Sequence, residues 1–184
     1  MVITEISKMK KRLVIIGIDG VPYSMLEHLS DGGVMPNFKE LRREGVFTKM
    51  YSSLPEISPV SWSSIITGSN PGDHGVYGFT DLIEGTYHLC YHNYKRLKVA
   101  PFWYWDPSKR CVIINVPSTY PAQKINGLII SGFVSPDLEK SVYPLHYIDK
   151  LRSINYKVDI DSEKGYRSKR LLFEELFKTL EARR

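Results

Sequence analysis

Leu13-Val14-Ile15-Ile16-Gly17-Ile18 is an uninterrupted apolar run that ends on Asp19-Gly20. A strand with one wet face alternates apolar with polar residues, whereas this run is apolar on both sides, as in a parallel strand buried between layers. Arg110 to Val116 has the same character. Such strands predict an α/β fold: a mostly parallel sheet, helices on both faces, and a ligand site at the strand carboxyl ends. Asp19 stands at such an end, as a ligand-binding carboxylate or as a turn aspartate.

Ser58-Pro59, with Gly68 downstream, predicts a short helix with Ser58 at the N-cap, Pro59 at the first helical position and Gly68 at the stop. Backbone N–H groups and the helix dipole there favour an anion. A serine that only caps satisfies the same pattern.

The strand ending in Ile18-Asp19-Gly20, then Met35-Pro36-Asn37-Phe38 with Leu41 and Gly45, then Ser58-Pro59 through Thr67-Gly68 and Pro71-Gly72 to His74-Gly75, resembles the alkaline phosphatase superfamily. The nearest branch is the type I phosphodiesterase and nucleotide pyrophosphatase family. Weaker likeness continues through Trp103–Asp106, Lys109–Pro117 and Ile125–Phe133, so that it spans about residues 12–160. The resemblance implies an alkaline-phosphatase-like fold and a metal-dependent phosphohydrolase acting on phosphate esters. Asp19 is implied as a metal ligand. Ser58, ten residues before the glycine of Thr67-Gly68, is implied as nucleophile and metal contact, in preference to Ser61, Ser63 or Ser64. The implied cofactors are divalent ions, Zn²⁺ first and Mn²⁺ as its substitute; they would activate the hydroxyl and clamp the phosphoryl oxygens.

The family's later ligands are an Asp with a His four residues on, then an Asp-His pair and a further His. After Phe79 the chain offers His88, His92 and His146, with Asp81, Asp106, Asp137, Asp149, Asp159 and Asp161, and none falls into those patterns. The resemblance therefore describes a truncated, N-terminal portion of such an enzyme. A missing C-terminal segment or a second chain is expected to complete the metal site. The other reading is a non-catalytic domain acting as an anion-binding or protein-interaction module. Asp73-His74-Gly75 imitates a late metal motif, but at this place the resemblance makes the His-Gly structural. Trp62 stands where sulfatases need Arg, which disfavours sulfate esters. Phe79 stands where nucleotide pyrophosphatases place a phosphate-binding Asn.

The rest of the chain bounds the reading. Net charge is +5, but the basic residues are scattered, from Lys8, Lys10 and Lys11 to Arg167, Lys169 and Arg170, which fits a solvated surface better than a nucleic-acid patch. The apolar run after the basic start is too short for a signal core, and none approaches the roughly 20 residues of a membrane span. A cytoplasmic location is the expectation. Cys90 and Cys111 lack Cys-x-x-Cys spacing and are expected reduced. His88, Cys90 and His92 alternate, so a strand would put them on one face, either as ordinary strand residues or as zinc ligands.

Three regions are expected: 1–84, the front of the catalytic core with the nucleophile helix; 85–150, a cap-like insertion around a core strand at 110–116; and 151–184, an amphipathic helix region. Helices are expected at Tyr23–Leu29 and Pro36–Arg43, with Val46–Tyr51 as an extended return. The Tyr-rich stretch after Gly85 is expected to form an antiparallel excursion covering the core, and Lys124–Phe133 a cap segment. Leu145, Ile148 and Leu151 should share one helix face. From Tyr166 to Arg184 the expected apolar stripe is Leu172, Phe173, Leu176, Phe177 and Leu180. An unpaired sheet edge would favour a homo-oligomer or a partner chain.

Overall fold

The computed structural model of the chain describes residues 12–158 and 168–183. Residues 1–11, Asp159, Asp161 and the expected helix start at Tyr166 lie outside them. The chain divides into two compact units, residues 1–51 and 52–184.

In the first unit, Pro22 precedes helix α1 (Tyr23–Asp31), and Pro36 opens helix α2 (Pro36–Glu44). Phe47 folds back after α2, stacking on Tyr23 with centroids 4.2 Å apart and meeting Phe38 edge-on at 5.5 Å. The Arg42 guanidinium lies 4.7 Å over the Phe47 ring and pairs with Asp31 at 2.9 Å. Aromatic and cation–π contacts thus hold α1 to α2.

Residues 12–18 do not form the expected buried strand. They carry no strand pairing among the described residues, and Leu13, Val14, Ile15, Ile16 and Ile18 are exposed. A strand apolar on both sides needs neighbours for its backbone hydrogen bonds and a layer over each face. The first unit has no described strand to supply them. Val46–Tyr51 is likewise unpaired, with Val46, Met50 and Tyr51 exposed.

The second unit is built on helix α3 (Ser58–Thr67) and a three-stranded sheet. Ile57, not Ser58, holds the N-cap position, with φ −129° and ψ 147° and no side-chain cap bond. Gly68 closes α3 at φ +64°, its N–H donating to the Ser64 carbonyl at 2.9 Å. Pro59, Val60, Ser63, Ile66 and Thr67 form the buried face at helical spacing. A short helix α4 (Pro71–His74) follows.

Strands β3 (Cys111–Val116) and β4 (Gly127–Ser131) are parallel, and β5 (Val142–Tyr143) joins β4 antiparallel. Parallel pairing is thus confined to β3–β4 among the described residues, in place of a mostly parallel sheet. Lys124–Phe133, expected in a cap, instead contains the central strand. The reason is its two-sided apolar character: Ile129 packs with Ile66, Trp103 and Ile113, whereas its neighbour Ile130 packs with Val142, Ile148 and Leu151. Successive strand residues face opposite ways, so α3 covers one face and helix α5 (Ile148–Ser153) the other. Leu145, expected beside Ile148 and Leu151, is exposed.

Strands β1 (Thr80–Leu82) and β2 (Leu89–Tyr91) form a separate antiparallel hairpin. Tyr87, Leu89 and Tyr91 are exposed and do not cover the core as expected. The hairpin is tied down by polar contacts, Arg96 donating to Asp81 at 3.1 Å and to the Leu82 carbonyl at 3.2 Å.

Helix α6 (Lys169–Arg183) turns inward a face that shares only Leu172 and Leu176, both half-buried, with the expected stripe. Glu175 and Thr179 are buried, whereas Phe173, Phe177 and Leu180 are exposed. Ion pairing selects that face: the Glu175 carboxylate meets Lys157 at 3.1 Å and Lys178 at 3.3 Å. No helix among the described residues is long and apolar enough to cross a membrane.

Candidate functional site

The first turn of α3 faces a small cavity at the carboxyl ends of the parallel pair. Ser58 and Pro59 line it from the helix, Pro117 and Ser118 from the segment after β3, and Phe133 and Val134 from the segment after β4. Phe79 and His92 complete the wall from the base of the hairpin, where the His92 N–H donates to the Phe79 carbonyl at 2.9 Å. Open α/β sheets bind ligands in this position.

Hydrogen bonds fix the wall. Gly132 N–H donates to the Val116 carbonyl at 3.1 Å, and Ser131 Oγ donates to the Thr119 carbonyl at 3.0 Å, joining the ends of β3 and β4. Ser63 Oγ donates to Ser118 Oγ at 3.1 Å and so docks α3 on the same loop. The rings of Phe79 and Phe133 meet edge-on, centroids 6.0 Å apart.

A family model described as type I phosphodiesterase / nucleotide pyrophosphatase matches residues 13–180. The chain belongs to that family. No curated protein and no solved structure matches it.

The family is one of phosphodiesterase- and pyrophosphatase-type hydrolases, and the cavity brings together only part of what the sequence pointed to. Ser58 is in its wall. Asp19 lies in an exposed turn of the first unit, not at the end of a strand. Cys90 Sγ donates to the Asp81 carbonyl at 3.4 Å and His88 is exposed, so His88, Cys90 and His92 do not converge as a zinc site. Among the described residues no three His, Cys, Asp or Glu side chains gather as metal donors. Neither unit by itself assembles a divalent-metal centre from its described residues.

The expected cradle of amides at α3 is also reduced. Pro59 has no N–H, and those of Val60 and Ser61 are taken by the Ile57 carbonyl at 3.1 and 3.0 Å. The helix dipole remains to favour negative charge. Ser118 and Phe133 are not singled out by the sequence as site residues, and His92 only as a zinc ligand beside His88 and Cys90. Ser118 and Phe133 closely follow strand ends, the rule that had drawn attention to Asp19, and that rule was the available signal.

His74 is fully buried and uses both ring nitrogens. Nδ1 accepts from the Val76 N–H at 3.1 Å, which places the ring proton on Nε2, 3.0 Å from Ser64 Oγ. Burial lowers its pKa, with Asp73 opposing. It is a structural pin between α3 and the following loop. His74→Ala is expected to cost about 3 kcal/mol, from the lost volume and two unpaired partners. Urea unfolding checks this, and a loss under about 1 kcal/mol would refute the pin.

His92 is held neutral. Burial, then the neighbouring His74 and Arg96, push its pKa down to about 4, against the pull of Asp81. In the unfolded chain a histidine titrates near 6.5, so between these values the unfolded state binds more protons. Stability therefore falls as pH drops through that window. The expected loss is about 1–2 kcal/mol after discounting for the ring's partial solvent access. The difference in melting temperature between the chain and His92→Gln should be constant above about pH 6.5 and change between pH 6.5 and 4; a difference that stays constant across that window would show that His92 does not titrate this way.

Proposed function

We propose that the chain is a phosphodiesterase- or phosphatase-type hydrolase whose nucleophile is Ser58. The observation that carries this reading is the position of Ser58 on the first turn of α3, in the wall of a cavity at the carboxyl ends of β3 and β4. Ser58 Oγ attacks phosphorus in line. The Oγ–P bond forms, the bond to the ester oxygen breaks, and the alcohol leaves with that electron pair; the hydroxyl proton passes to solvent. Water then hydrolyses the phosphoserine and restores Ser58. The dipole of α3 favours the charge on the phosphoryl oxygens.

Asp19 is proposed as a metal ligand on the sequence resemblance alone. Any further donors are proposed to come from a second chain or further polypeptide, because the described residues do not assemble them. The same observation favours a second reading, a domain that binds phosphate without turning it over.

Hydrolysis of bis-p-nitrophenyl phosphate and p-nitrophenyl phosphate, with and without added Zn²⁺ or Mn²⁺, separates the two. Release of p-nitrophenolate above the buffer rate supports the hydrolase. A folded chain that binds phosphate and releases none supports the binding module.

A further inference from the structure

Nε2 of His92 is buried and has no hydrogen-bond partner among the described residues. Proteins ordinarily meet a buried polar atom left that way with water or a ligand. The ring does not reach this state through looseness. The backbone N–H of His92 donates to the Phe79 carbonyl at 2.9 Å, and Arg96 anchors the hairpin beside it through Asp81 at 3.1 Å.

The ring lines the cavity that Ser58 lines. That cavity encloses about 20 Å³, enough for one water-sized group and no more. Pro59, Phe79, Pro117, Phe133 and Val134 bring no side-chain hydrogen-bond donor to it, whereas the Ser118 hydroxyl, which accepts from Ser63 at 3.1 Å, keeps its own proton to give. The N–H groups of Val60 and Ser61 are committed to Ile57. An oxygen entering beside Ser58 therefore has the imidazole and the Ser118 hydroxyl as the side-chain donors around it.

We propose that His92 donates a hydrogen bond from Nε2 to one oxygen of the phosphoryl group under attack at Ser58, that oxygen taking the space of a single water in the cavity. The proposal rests on the reading of Ser58 as nucleophile. It makes His92 a binding residue that meets the phosphoryl centre itself, and it gives the unpartnered Nε2 of a half-buried neutral ring a partner. Neutrality leaves one ring N–H to give at pH 7, and a bound oxygen fixes it on Nε2.

The test is a titration of the intact chain with inorganic phosphate at pH 7.5, followed through the side-chain signals of ¹⁵N-labelled histidine. The expected result is a saturable shift of His92 Nε2. His92→Ala should weaken phosphate at least about tenfold, whereas His92→Gln, whose amide can donate from a similar place, should stay within about threefold. Phosphate that leaves the His92 signals unmoved, or that binds His92→Ala as it binds the parent chain, overturns the proposal. If His92→Ala does not fold, the parent spectra and His92→Gln decide. Phosphate binding independent of His92, with turnover lost in Ser58→Ala, sinks this inference alone. Phosphate binding through His92, with turnover kept in Ser58→Ala, sinks the nucleophile and leaves His92 as a phosphoryl-binding residue.

Discussion

Ser58→Ala should reduce p-nitrophenolate release from bis-p-nitrophenyl phosphate by three orders of magnitude or more, roughly the loss expected when a nucleophile is removed, while the chain stays folded. The other serines of α3 are the internal controls. Ser61 Oγ lies 3.0 Å from Ser52 Oγ and accepts from Ser53 at 3.2 Å, Ser63 bonds Ser118 at 3.1 Å, and Ser64 lies 3.0 Å from His74 Nε2. Those hydroxyls fasten α3 to its surroundings. Alanine at Ser63, which is fully buried, should cost stability of about 1–2 kcal/mol and turnover only through that. Equal losses of turnover at Ser58 and Ser61 would remove the distinction on which the assignment stands.

Gly127→Ala should disrupt the second unit, with an expected loss of about 4 kcal/mol or more. A Cβ at this position would stand 1.8 Å from the Cys111 carbonyl oxygen and 2.8 Å from its carbon, with φ at +140°. The obstacle is backbone, since Cys111 is the parallel partner of Gly127 in the register. No side-chain rearrangement relieves it, and the backbone conformation itself is one that residues with a Cβ rarely adopt. Parting β3 from β4 at this end unseats Ile113 and Ile129, which share a core with Ile66 and Trp103. Urea unfolding and the dispersion of amide resonances would report the loss. A variant that melts within a few degrees of the parent would mean that the β3–β4 pairing is not built as described.

Sequence reasoning located elements well where local chemistry is self-sufficient and poorly where tertiary partners decide. Pro22, Pro36, Pro59 and Gly68 marked helix ends that the structure keeps, because proline and glycine act through their own backbone geometry. Arg110–Val116 was legible as a strand because β4 is there to pair with it, whereas the equally apolar Leu13–Ile18 remains unpaired and exposed. Hydrophobic pattern states what a segment needs, and cannot state whether a neighbour supplies it. In α6 the apolar stripe was visible, but the buried face also carries the Glu175 carboxylate, which pairs with Lys178 one turn on and with Lys157 from an earlier part of the chain, and that second pair is made across a long sequence separation. Ser58 was found through spacing. His92 was legible only as a zinc ligand beside His88 and Cys90, because its unpartnered buried atom and its place beside Ser58 come into view only in the folded chain.

Peptide mass spectrometry after brief reaction with bis-p-nitrophenyl phosphate tests the role of Ser58 most directly, run on the parent chain and on Ser58→Ala, each with added Zn²⁺ or Mn²⁺. A nucleophilic Ser58 predicts a p-nitrophenyl phosphoryl group on the peptide that contains it, absent from the variant. An adduct on another residue, or p-nitrophenolate release that persists in Ser58→Ala, would contradict it.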